Sequence, residues 1–389
     1  MDFTYDDEQD ALRDAVRGLI GKAYSDYENR RRTVGDDPGF DEKVWAQMAE
    51  MGLLGLPFGE DDGGVGAGPV EIAIVCQELG RVIAPEPYLA TVVLAGGLVS
   101  AVATAEQRAE VLGAVAAGES VLAFAHTEAG GPRWSPGAHA TKAAADGDSW
   151  TLTGTKDAVI AGARADRLVV SAVLPDGGTG LFLVEGDASG LERTSYAVFD
   201  GGRAARVVLD GTPATPLGQV GLDVTSSIAT VLDITRVMAA NEALGGMETQ
   251  LRATTEYLKS RKQFGVTLNT FQALTFRAAD MYTSLELTHS LVDWATMVVA
   301  AAQESGDTSA VADAAAQVGL QVSRAGRHVG QEAIQLHGGI GMTAEYRVGM
   351  VTAHLTVLDH LYGDGAHHQR TLSERLTDHG AIDPLTVGA

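Results

Sequence analysis

Two short segments in the C-terminal third combine residue types that can bind an anionic ligand. The first, Arg261 to Gly265, reads Arg-Lys-Gln-Phe-Gly, and the second, Gln335 to Gly339, reads Gln-Leu-His-Gly-Gly. Arginine offers five N–H donors in a planar fork that suits a pyrophosphate. A Gly-Gly turn lets backbone approach a ligand closely. Each segment also has a plain structural interpretation, because a cation complements a helix C-terminus and a Gly-Gly turn is usually only a C-cap.

A third segment, from Tyr362 to His368, offers groups for acid–base chemistry. It reads Tyr-Gly-Asp-Gly-Ala-His-His, and Asp364 is its only carboxylate. A carboxylate in a dry pocket suits proton removal from carbon, because burial raises its pKa toward the working pH. An aspartate between two glycines is also typical of a turn. Adjacent histidines diverge on a helix, so no metal site is expected from His367 and His368.

The composition indicates a folded protein without a basic surface. The 389 residues are 45% hydrophobic and carry a formal net charge of −23, which argues against non-specific nucleic-acid binding. A small anionic ligand remains compatible, because it needs only a few positioned cations. The single cysteine, Cys76, is expected to be a buried structural thiol.

No targeting or membrane segment is expected in this chain. The N-terminus is acidic where a signal peptide needs positive charge. The uncharged run 87–105 has near-membrane length, but its small and hydroxylated residues favour a buried core helix over a membrane span. The sequence therefore predicts a cytoplasmic protein.

The spacing of hydrophobic residues divides the chain into three parts, and their secondary structure determines where the three segments lie. Helical spacing dominates to about residue 119, short β-branched runs between Gly, Asp and Pro turns follow, and helical patterns return after residue 223. The prediction is a multidomain α+β protein. It has an N-terminal α-helical domain at 1–119, a middle β-sandwich or barrel at 120–222, and a C-terminal four-helix bundle at 223–389.

The order of these motifs resembles the acyl-CoA dehydrogenase family. The opening Asp7-Glu8-Gln9, the run Met51–Pro57 and the paired-strand segment Trp150–Lys156 are similar to the family's signatures and occur in the same order. The resemblance implies the acyl-CoA dehydrogenase fold, FAD as cofactor and an acyl-CoA thioester as substrate. It further implies an electron-transfer flavoprotein as electron acceptor and a homo- or hetero-oligomer built as a dimer of dimers.

The resemblance also implies which residues contact the flavin. Thr127, at the end of a predicted strand, would donate to the pyrimidine oxygens, and Arg261 would reach the flavin of a neighbouring subunit. Gln335 would approach the adenosine end across the same interface. The full expected set is Thr127, Arg261, Phe264, Gln272, Gln335, Gly338, Gly339 and His367.

The chain departs from the family where the catalytic base is concerned. Medium-chain-like members carry a glutamate after the tyrosine that matches Tyr362, and this chain has Gly363 there. Isovaleryl- and long-chain-like members carry it just before the arginine that matches Arg236, where this chain has Thr235. We expect Asp364 to act as the base with Arg236 in a supporting role.

One further candidate base and two further departures affect the expected site. Glu242, two helical turns after Thr235, is a weaker candidate base and is expected to serve the helix bundle. The loop after Thr127 lacks the family's Ser-Asp pair. The places of a tryptophan and a threonine beside the flavin fall on Ala158 and Ile160, so the flavin wall must differ.

Two functions remain open from the sequence. The first is FAD-dependent α,β-dehydrogenation of an acyl-CoA thioester in fatty acid or steroid catabolism, with base-assisted α-proton removal and β-hydride transfer to flavin N5. The second is a non-catalytic or weakly active partner subunit of a heteromeric acyl-CoA dehydrogenase. The missing glutamate favours the second, in the manner of the small subunits of pimeloyl-CoA and steroid-type enzymes, whereas the segments at 261–265 and 335–339 favour cofactor binding.

Overall fold

The computed structural model describes residues 4–147, 149–343 and 346–376, and it orders them as helices, strands and helices again. The order predicted from the sequence is confirmed. The α-helices are α1 Asp7–Tyr24, α2 Tyr27–Gly35, α3 Glu42–Glu50, α4 Pro69–Val82, α5 Gly97–Val102, α6 Ala105–Ala116, α7 Thr225–Ser260, α8 Gln272–Ser305, α9 Val311–His337, α10 Arg347–Tyr362 and α11 Gly365–Glu374. The strands are β1 Leu122–Ala125, β2 Lys142–Asp146, β3 Ser149–Ile160, β4 Arg167–Val173, β5 Thr179–Glu185, β6 Leu191–Ala197, β7 Arg203–Pro216, β8 Lys262–Gln263 and β9 Val266–Thr267.

Local capping explains where several N-terminal helices begin. The Asp6 side chain accepts from the N–H groups of Glu8 and Gln9, and the Gln9 side-chain oxygen accepts from the Asp6 backbone N–H. Thr104 and Gln107 form the same reciprocal box before α6. Each box satisfies N–H groups that have no partner within the helix, so the chain enters the helix at a defined residue.

The run 87–105 is largely buried up to residue 99 and exposed at its end, and it is not one regular α-helix. Residues Leu89–Gly96 form a π-helix, and α5 follows at once. An uninterrupted apolar sequence gives no signal for the change in hydrogen bonding. Within the described residues, no helix is both long and apolar enough to cross a bilayer. Cys76 is fully buried in α4, and burial raises the pKa of its thiol.

The middle strands close into a barrel-like sheet. β2 pairs with β3, β3 with β7, β7 with β5, β5 with β4, and β4 returns to β2 through Val173 and Lys142. β1 extends this sheet by pairing in parallel with β4, where Leu122 faces Arg167. The loop that follows β1 therefore emerges at a fixed edge of the sheet, facing the helical parts.

The C-terminal helices are long and pack along one another. α7 has 36 residues, which is about 54 Å at 1.5 Å per residue. It contacts α4, α8, α9 and α10, and α11 packs against α9. Val224, just before α7, donates its N–H to the Thr179 carbonyl of β5 at 2.9 Å, so this helix begins beside the β domain and runs away from it.

Candidate active site

A cavity of about 490 Å³ lies between the β domain, α7 and α10. Its wall includes Thr127 and Trp134 from the loop after β1, Ala158 from β3, Arg236 from α7 and Tyr362 from α10. Its size falls within the range of small-molecule sites, about 300–1,000 Å³. The structure thus brings Thr127 and Arg236, two of the predicted site residues, to one cavity.

The loop that carries Thr127 is fixed by a buried ion pair. Lys156 Nζ lies 2.7 Å from Glu128 Oε1, and the exposed fractions of the two side chains are 0% and 4%. The Glu128 carboxylate also accepts from the backbone N–H groups of His139, Ala140 and Thr141, at 3.1, 2.5 and 2.8 Å. One carboxylate therefore joins the start of the loop to its end.

The electrostatics of this pair are governed by burial and hydrogen bonding together. Burial alone would raise the pKa of Glu128, but the bonds from Lys156 and Thr141 outweigh it and lower the pKa to about 2. Burial lowers the pKa of Lys156 to about 8, even though Glu128 opposes that change. At neutral pH both groups are charged, and each depends on the other.

Two features of the cavity wall differ from an ordinary strand and loop. Ala158 has φ 52° and sits at an irregularity in the pairing of β3 with β7, so its backbone projects out of the regular sheet. Its N–H donates to Asp157 Oδ1 at 2.8 Å and to the Tyr196 hydroxyl at 2.9 Å. On the other side, the Trp134 indole N–H donates to the His360 carbonyl at 3.1 Å.

Arg236 shapes the end of α10. Its Nε donates to the Tyr362 carbonyl at 2.6 Å, and its Nη1 lies 2.6 Å from Asp233 Oδ1. The Tyr362 carbonyl is one of the last of α10 and has no partner within that helix, so the guanidinium satisfies it. The supporting role predicted for Arg236 is therefore compatible with its position beside the loop that holds Gly363.

Gly363 lies where no side chain fits. Its φ is +129°, and a Cβ added there would lie 2.8 Å from His367 Cδ2 and 3.0 Å from His368 Nε2. Such distances are far below van der Waals contact. The space that a side chain at position 363 would enter is therefore occupied by the two imidazoles.

Asp364 caps α11. Its Oδ1 accepts from the His367 N–H at 2.8 Å, and its backbone is extended as a helix cap requires. Asp364 is not among the residues that line the 490 Å³ cavity. The structure thus gives its carboxylate the turn role that the sequence left open, and a catalytic role for Asp364 stays a prediction.

Of the remaining predicted cofactor residues, His367 lies in α11 beside Gly363, and the others lie at the far end of α7. Arg261 follows the last residue of that helix, and Phe264, 91% exposed, lies between the two strands β8 and β9. Gln272 is the first residue of α8. Gln335, Gly338 and Gly339 are exposed at the end of α9, and open space surrounds the Cα atoms of both glycines.

Geometry separates the two groups of predicted residues within one chain. Arg261 comes 25 positions after Arg236 along a continuous helix, which is about 37 Å at 1.5 Å per residue. A single chain cannot bring Arg261 to the cavity beside Thr127. The two groups can serve one ligand only if another subunit supplies the distal group.

A buried polar network that no sequence pattern indicated lies next to the cavity. Arg30 donates to the Asp200 carbonyl at 2.9 Å, and Asp200 Oδ2 lies 2.7 Å from His354 Nδ1. His354 Nε2 lies 2.8 Å from Glu242 Oε1. Burial alone would lower the pKa of His354, but the bonds to Asp200 and Glu242 raise it to about 9. Glu242, the weaker candidate base, is therefore paired with a charged imidazole.

This network borders a second cavity of about 100 Å³. The residues that line both cavities are Ala90, Ile160, Val198, Val357, Leu361 and Tyr362. Glu86 lies in the smaller one, where burial raises the pKa of its carboxyl group to about 7. The smaller cavity thus lies directly behind the larger.

Comparison with known proteins identifies the family. Residues 6–119 match the family model described as the acyl-CoA dehydrogenase N-terminal domain, and residues 224–377 match that of the C-terminal domain. The chain belongs to the acyl-CoA dehydrogenase family. Members of this family are FAD-dependent oxidoreductases that act on CH–CH donors, and the resemblance stated from the motifs is confirmed.

Individual relatives agree over nearly the whole chain. The chain is 30% identical over 367 residues to the probable acyl-CoA dehydrogenase FadE25 of Mycobacterium tuberculosis, which covers 89% of each protein. It is 31% identical to a variant of the steroid acyl-CoA dehydrogenase Tcur3481-Tcur3483, with a TM-score of 0.85 over 96% of this chain and 99% of that one. For the ChsE4-ChsE5 complex of Mycobacterium tuberculosis the identity is 26% and the TM-score 0.86, over 98% and 100% of the two chains.

The residues of this acyl-CoA dehydrogenase fit FAD, the cofactor of its family. Thr127 is exposed at the wall of the 490 Å³ cavity, where its hydroxyl can donate to a ring oxygen. Arg261 is exposed beside a hairpin, and the backbone at Gly338 and Gly339 is open to an approaching group. Among the residues that the structure describes, no cluster of His, Cys, Asp or Glu is arranged to hold a metal ion.

Proposed function

We propose that this acyl-CoA dehydrogenase oxidises an acyl-CoA thioester in the cavity beside Arg236 and Tyr362, at an interface between two copies. FAD, when bound, supplies the oxidant that accepts the hydride from the β-carbon. The observation that carries the proposal is the 490 Å³ cavity bounded by the Thr127 loop and by the end of α10. The 37 Å separation of the two cofactor groups supports the shared site.

The chain's own residues have distinct tasks in this proposal. Thr127 would orient the cofactor, and the Glu128–Lys156 pair would keep the Thr127 loop in place. Arg236 would hold the end of α10 through the Tyr362 carbonyl, so that the Gly363 turn keeps its shape. From a second copy, Arg261 and the exposed turn at Gly338 would hold the pyrophosphate and adenosine portions.

The experiment starts from the purified chain. Its visible spectrum reports bound flavin, and anaerobic addition of straight-chain, branched and steroid acyl-CoA thioesters reports reduction as bleaching. We expect a yellow protein that at least one thioester bleaches. A colourless protein, or one that no thioester bleaches, would contradict an enzyme that acts alone.

The physiological electron acceptor can be tested in the same preparation. We propose an electron-transfer flavoprotein, because enzymes of this type must pass their electrons on after each turnover. The reduced protein should regain its yellow colour when oxidised electron-transfer flavoprotein is added without oxygen. Absence of reoxidation, alongside reoxidation by a dye, would exclude this acceptor.

One observation favours a second candidate, a weakly active partner subunit of a heteromeric acyl-CoA dehydrogenase. The two imidazoles occupy the space at Gly363, and Asp364 is held as a helix cap, so neither position presents a free carboxylate. On this proposal the chain would bind flavin yet remain unbleached when alone. Addition of the other subunit would then restore bleaching without any change in flavin content.

A further inference from the structure

The carboxyl group of Glu86 is buried with one of its two oxygens unengaged. Its Oε1 accepts from the Tyr24 hydroxyl and, at 3.4 Å, from the Asp41 N–H. Glu86 is 5% exposed, and its Oε2 has no hydrogen-bond partner among the residues that the structure describes. Proteins pair the great majority of their buried polar atoms, because an unpaired one is unfavourable. Oε2 is therefore an oxygen that still needs a partner.

Two cations in the wall of the 100 Å³ cavity, which Glu86 also lines, are engaged with other acids. Arg30 pairs with Asp200, and His354 lies between Asp200 and Glu242. These two cations and two carboxylates balance one another in charge. Because Glu86 has no such partner within the described wall, burial raises the pKa of its carboxyl group to about 7. Near neutral pH the group can donate as an acid or accept as a carboxylate.

The third cation of this described wall, Arg203, also has an acid partner. Its Nη2 donates to the Gly35 carbonyl at 2.8 Å, and its Nε lies 3.9 Å from Asp37 Oδ1. Within the part of the chain that the structure describes, the wall thus offers a carboxylate ligand no cation that lacks an acid. A neutral hydroxyl group suits Glu86 better, because a hydroxyl both donates and accepts.

The smaller cavity continues the space in which the thioester is proposed to bind. Ala90, Ile160, Val198 and Leu361 are among the residues that line both cavities, whereas Glu86 lines only the smaller one. An acyl chain that enters from the large cavity therefore passes apolar side chains before it reaches the carboxyl group. A water molecule needs only about 10–15 Å³ of such space, and this cavity has about 100 Å³. It has room for the end of an acyl group.

The backbone around Glu86 holds its carboxyl group in one place. Pro85 and Pro87 flank it, and the ring of each proline fixes its own φ angle. The Tyr88 N–H donates to the Glu86 carbonyl at 2.8 Å. The two donors to Oε1 come from α1 and from the residue before α3. The carboxyl group is thus oriented before any ligand arrives, which favours binding because less freedom is lost.

We propose that the smaller cavity binds the far end of the acyl group and that Glu86 recognises a hydroxyl group carried there. This substrate class, an acyl-CoA thioester hydroxylated at the end distant from its sulfur, deepens the proposed function and rests on it. The hydroxyl would bond Oε2, the oxygen that Tyr24 and Asp41 leave unengaged. A plain acyl chain of the same length would cover that oxygen without giving it a partner, and the site would discriminate against it.

The test compares thioesters that differ only at the far end. A series from hexanoyl- to dodecanoyl-CoA is prepared in plain, ω-hydroxy and ω-carboxy forms, each with sulfur in place of the β-carbon. Such 3-thia analogues cannot lose a β-hydride, so calorimetry on the FAD-loaded full chain gives their Kd without oxidation. Bleaching by the ordinary thioesters, measured on the same preparation, reports the proposed function separately.

Wild type should show one chain length at which the hydroxyl reaches Glu86. There the hydroxylated analogue should bind about 10–100-fold more tightly than its plain partner, since the plain chain buries an oxygen that lacks a bond. At shorter lengths, where the hydroxyl does not reach Oε2, the preference should disappear. This length dependence separates recognition at one place from a general effect of polarity.

Three variants assign the preference to one side chain. Glu86→Met removes both oxygens and should bind the plain analogue at least as tightly as the hydroxylated one. Glu86→Gln keeps groups that donate and accept, so it should retain a preference for the hydroxyl. Glu78→Gln is the matched control, because Glu78 is a buried carboxylate of α4 that pairs with Arg17 and Arg81. It should leave the ratio of the two Kd values unchanged.

The outcomes separate this substrate class from the proposed function. Equal Kd values for plain and hydroxylated analogues at every length overturn the substrate class, and bleaching by plain thioesters would then leave the proposed function standing. Tightest binding of the ω-carboxy form also overturns it and assigns the end of the cavity to Arg203. An undiminished hydroxyl preference in Glu86→Met overturns the role of Glu86.

Two results bear on both proposals. A chain that prefers the hydroxylated analogue but is bleached by no thioester keeps the binding site and overturns oxidation by this chain alone. A chain that binds no analogue overturns both. The comparisons on wild type need no variant, so the hydroxyl preference and its dependence on chain length decide the matter if Glu86→Met does not fold.

Discussion

Replacement of Lys156 by methionine tests whether the buried pair with Glu128 holds the cavity wall. Methionine keeps the length and apolar stem of lysine but removes its charge and its three donors. The Glu128 carboxylate, 4% exposed, would then be buried with its three backbone N–H donors but without a cation. Lys156 Nζ also donates to the His126 carbonyl at 3.1 Å, and that acceptor would lose its donor.

The expected cost follows from burial. Removal of one partner of a buried pair typically costs about 3–5 kcal/mol, because the remaining charge keeps its desolvation penalty and loses its compensation. With a urea m-value of about 2 kcal/mol/M, this moves the unfolding midpoint of the β domain by about 2 M. The double variant Lys156→Met with Glu128→Gln removes both charges and keeps an acceptor for the backbone N–H groups. It should recover all but about 1 kcal/mol.

The assay combines stability with cofactor binding. Urea unfolding is followed by the fluorescence of the four tryptophans, of which Trp134 and Trp150 belong to the middle part of the chain, and the Kd for FAD is measured on folded protein. We expect the single variant to lose FAD affinity at least tenfold, since the Thr127 loop is no longer fixed at both ends. Equal destabilisation in the single and double variants, or a change below about 1 kcal/mol in the single variant, would refute the reasoning.

Three further predictions concern other parts of the molecule. Because His354 has a pKa of about 9, against about 6.5 when unfolded, the free energy of unfolding should fall by about 3 kcal/mol from pH 6.5 to 9, and His354→Gln should abolish that slope in urea titrations. Arg261→Ala should weaken FAD binding at least tenfold and leave the melting temperature within about 1 °C, because Arg261 is exposed. The control variant Lys262→Ala should leave both the FAD affinity and the melting temperature unchanged. Gly363→Glu should lower stability by about 1–3 kcal/mol and fail to increase thioester bleaching, because its side chain meets the imidazoles at positive φ; increased bleaching would contradict the account of the site.

The sequence predicted well wherever a pattern repeats. The β-branched runs expected between residues 120 and 222 include β4, Arg167–Val173, and the helical patterns expected after residue 223 include α7, Thr225–Ser260. β-Branched runs between turn residues and long amphipathic stretches are local properties, so one chain suffices to find them. The run 87–105 has no such period, and its π-helix at Leu89–Gly96 was not predictable.

Contacts between distant residues explain what the sequence could not give. Arg30 and Asp200 are 170 positions apart, and Asp200 and His354 are 154 positions apart. No local sequence pattern can predict a network between residues so far apart in the chain. The role of Asp364 was ambiguous for a different reason. A carboxylate between two glycines suits both a cap and a base, and the cap could be recognised only from the position of the His367 N–H.

The absence of a side chain at Gly363 and the packing of the two histidines of α11 depend on each other in the structure. The His367 and His368 rings lie within 3.0 Å of the Cβ position at Gly363, and the His368 ring lies 2.4 Å from the Cβ position at Gly319. Both positions must lack a side chain for the imidazoles to pack as they do. A glutamate introduced at position 363 would therefore have to displace the rings before it could reach a substrate in the cavity.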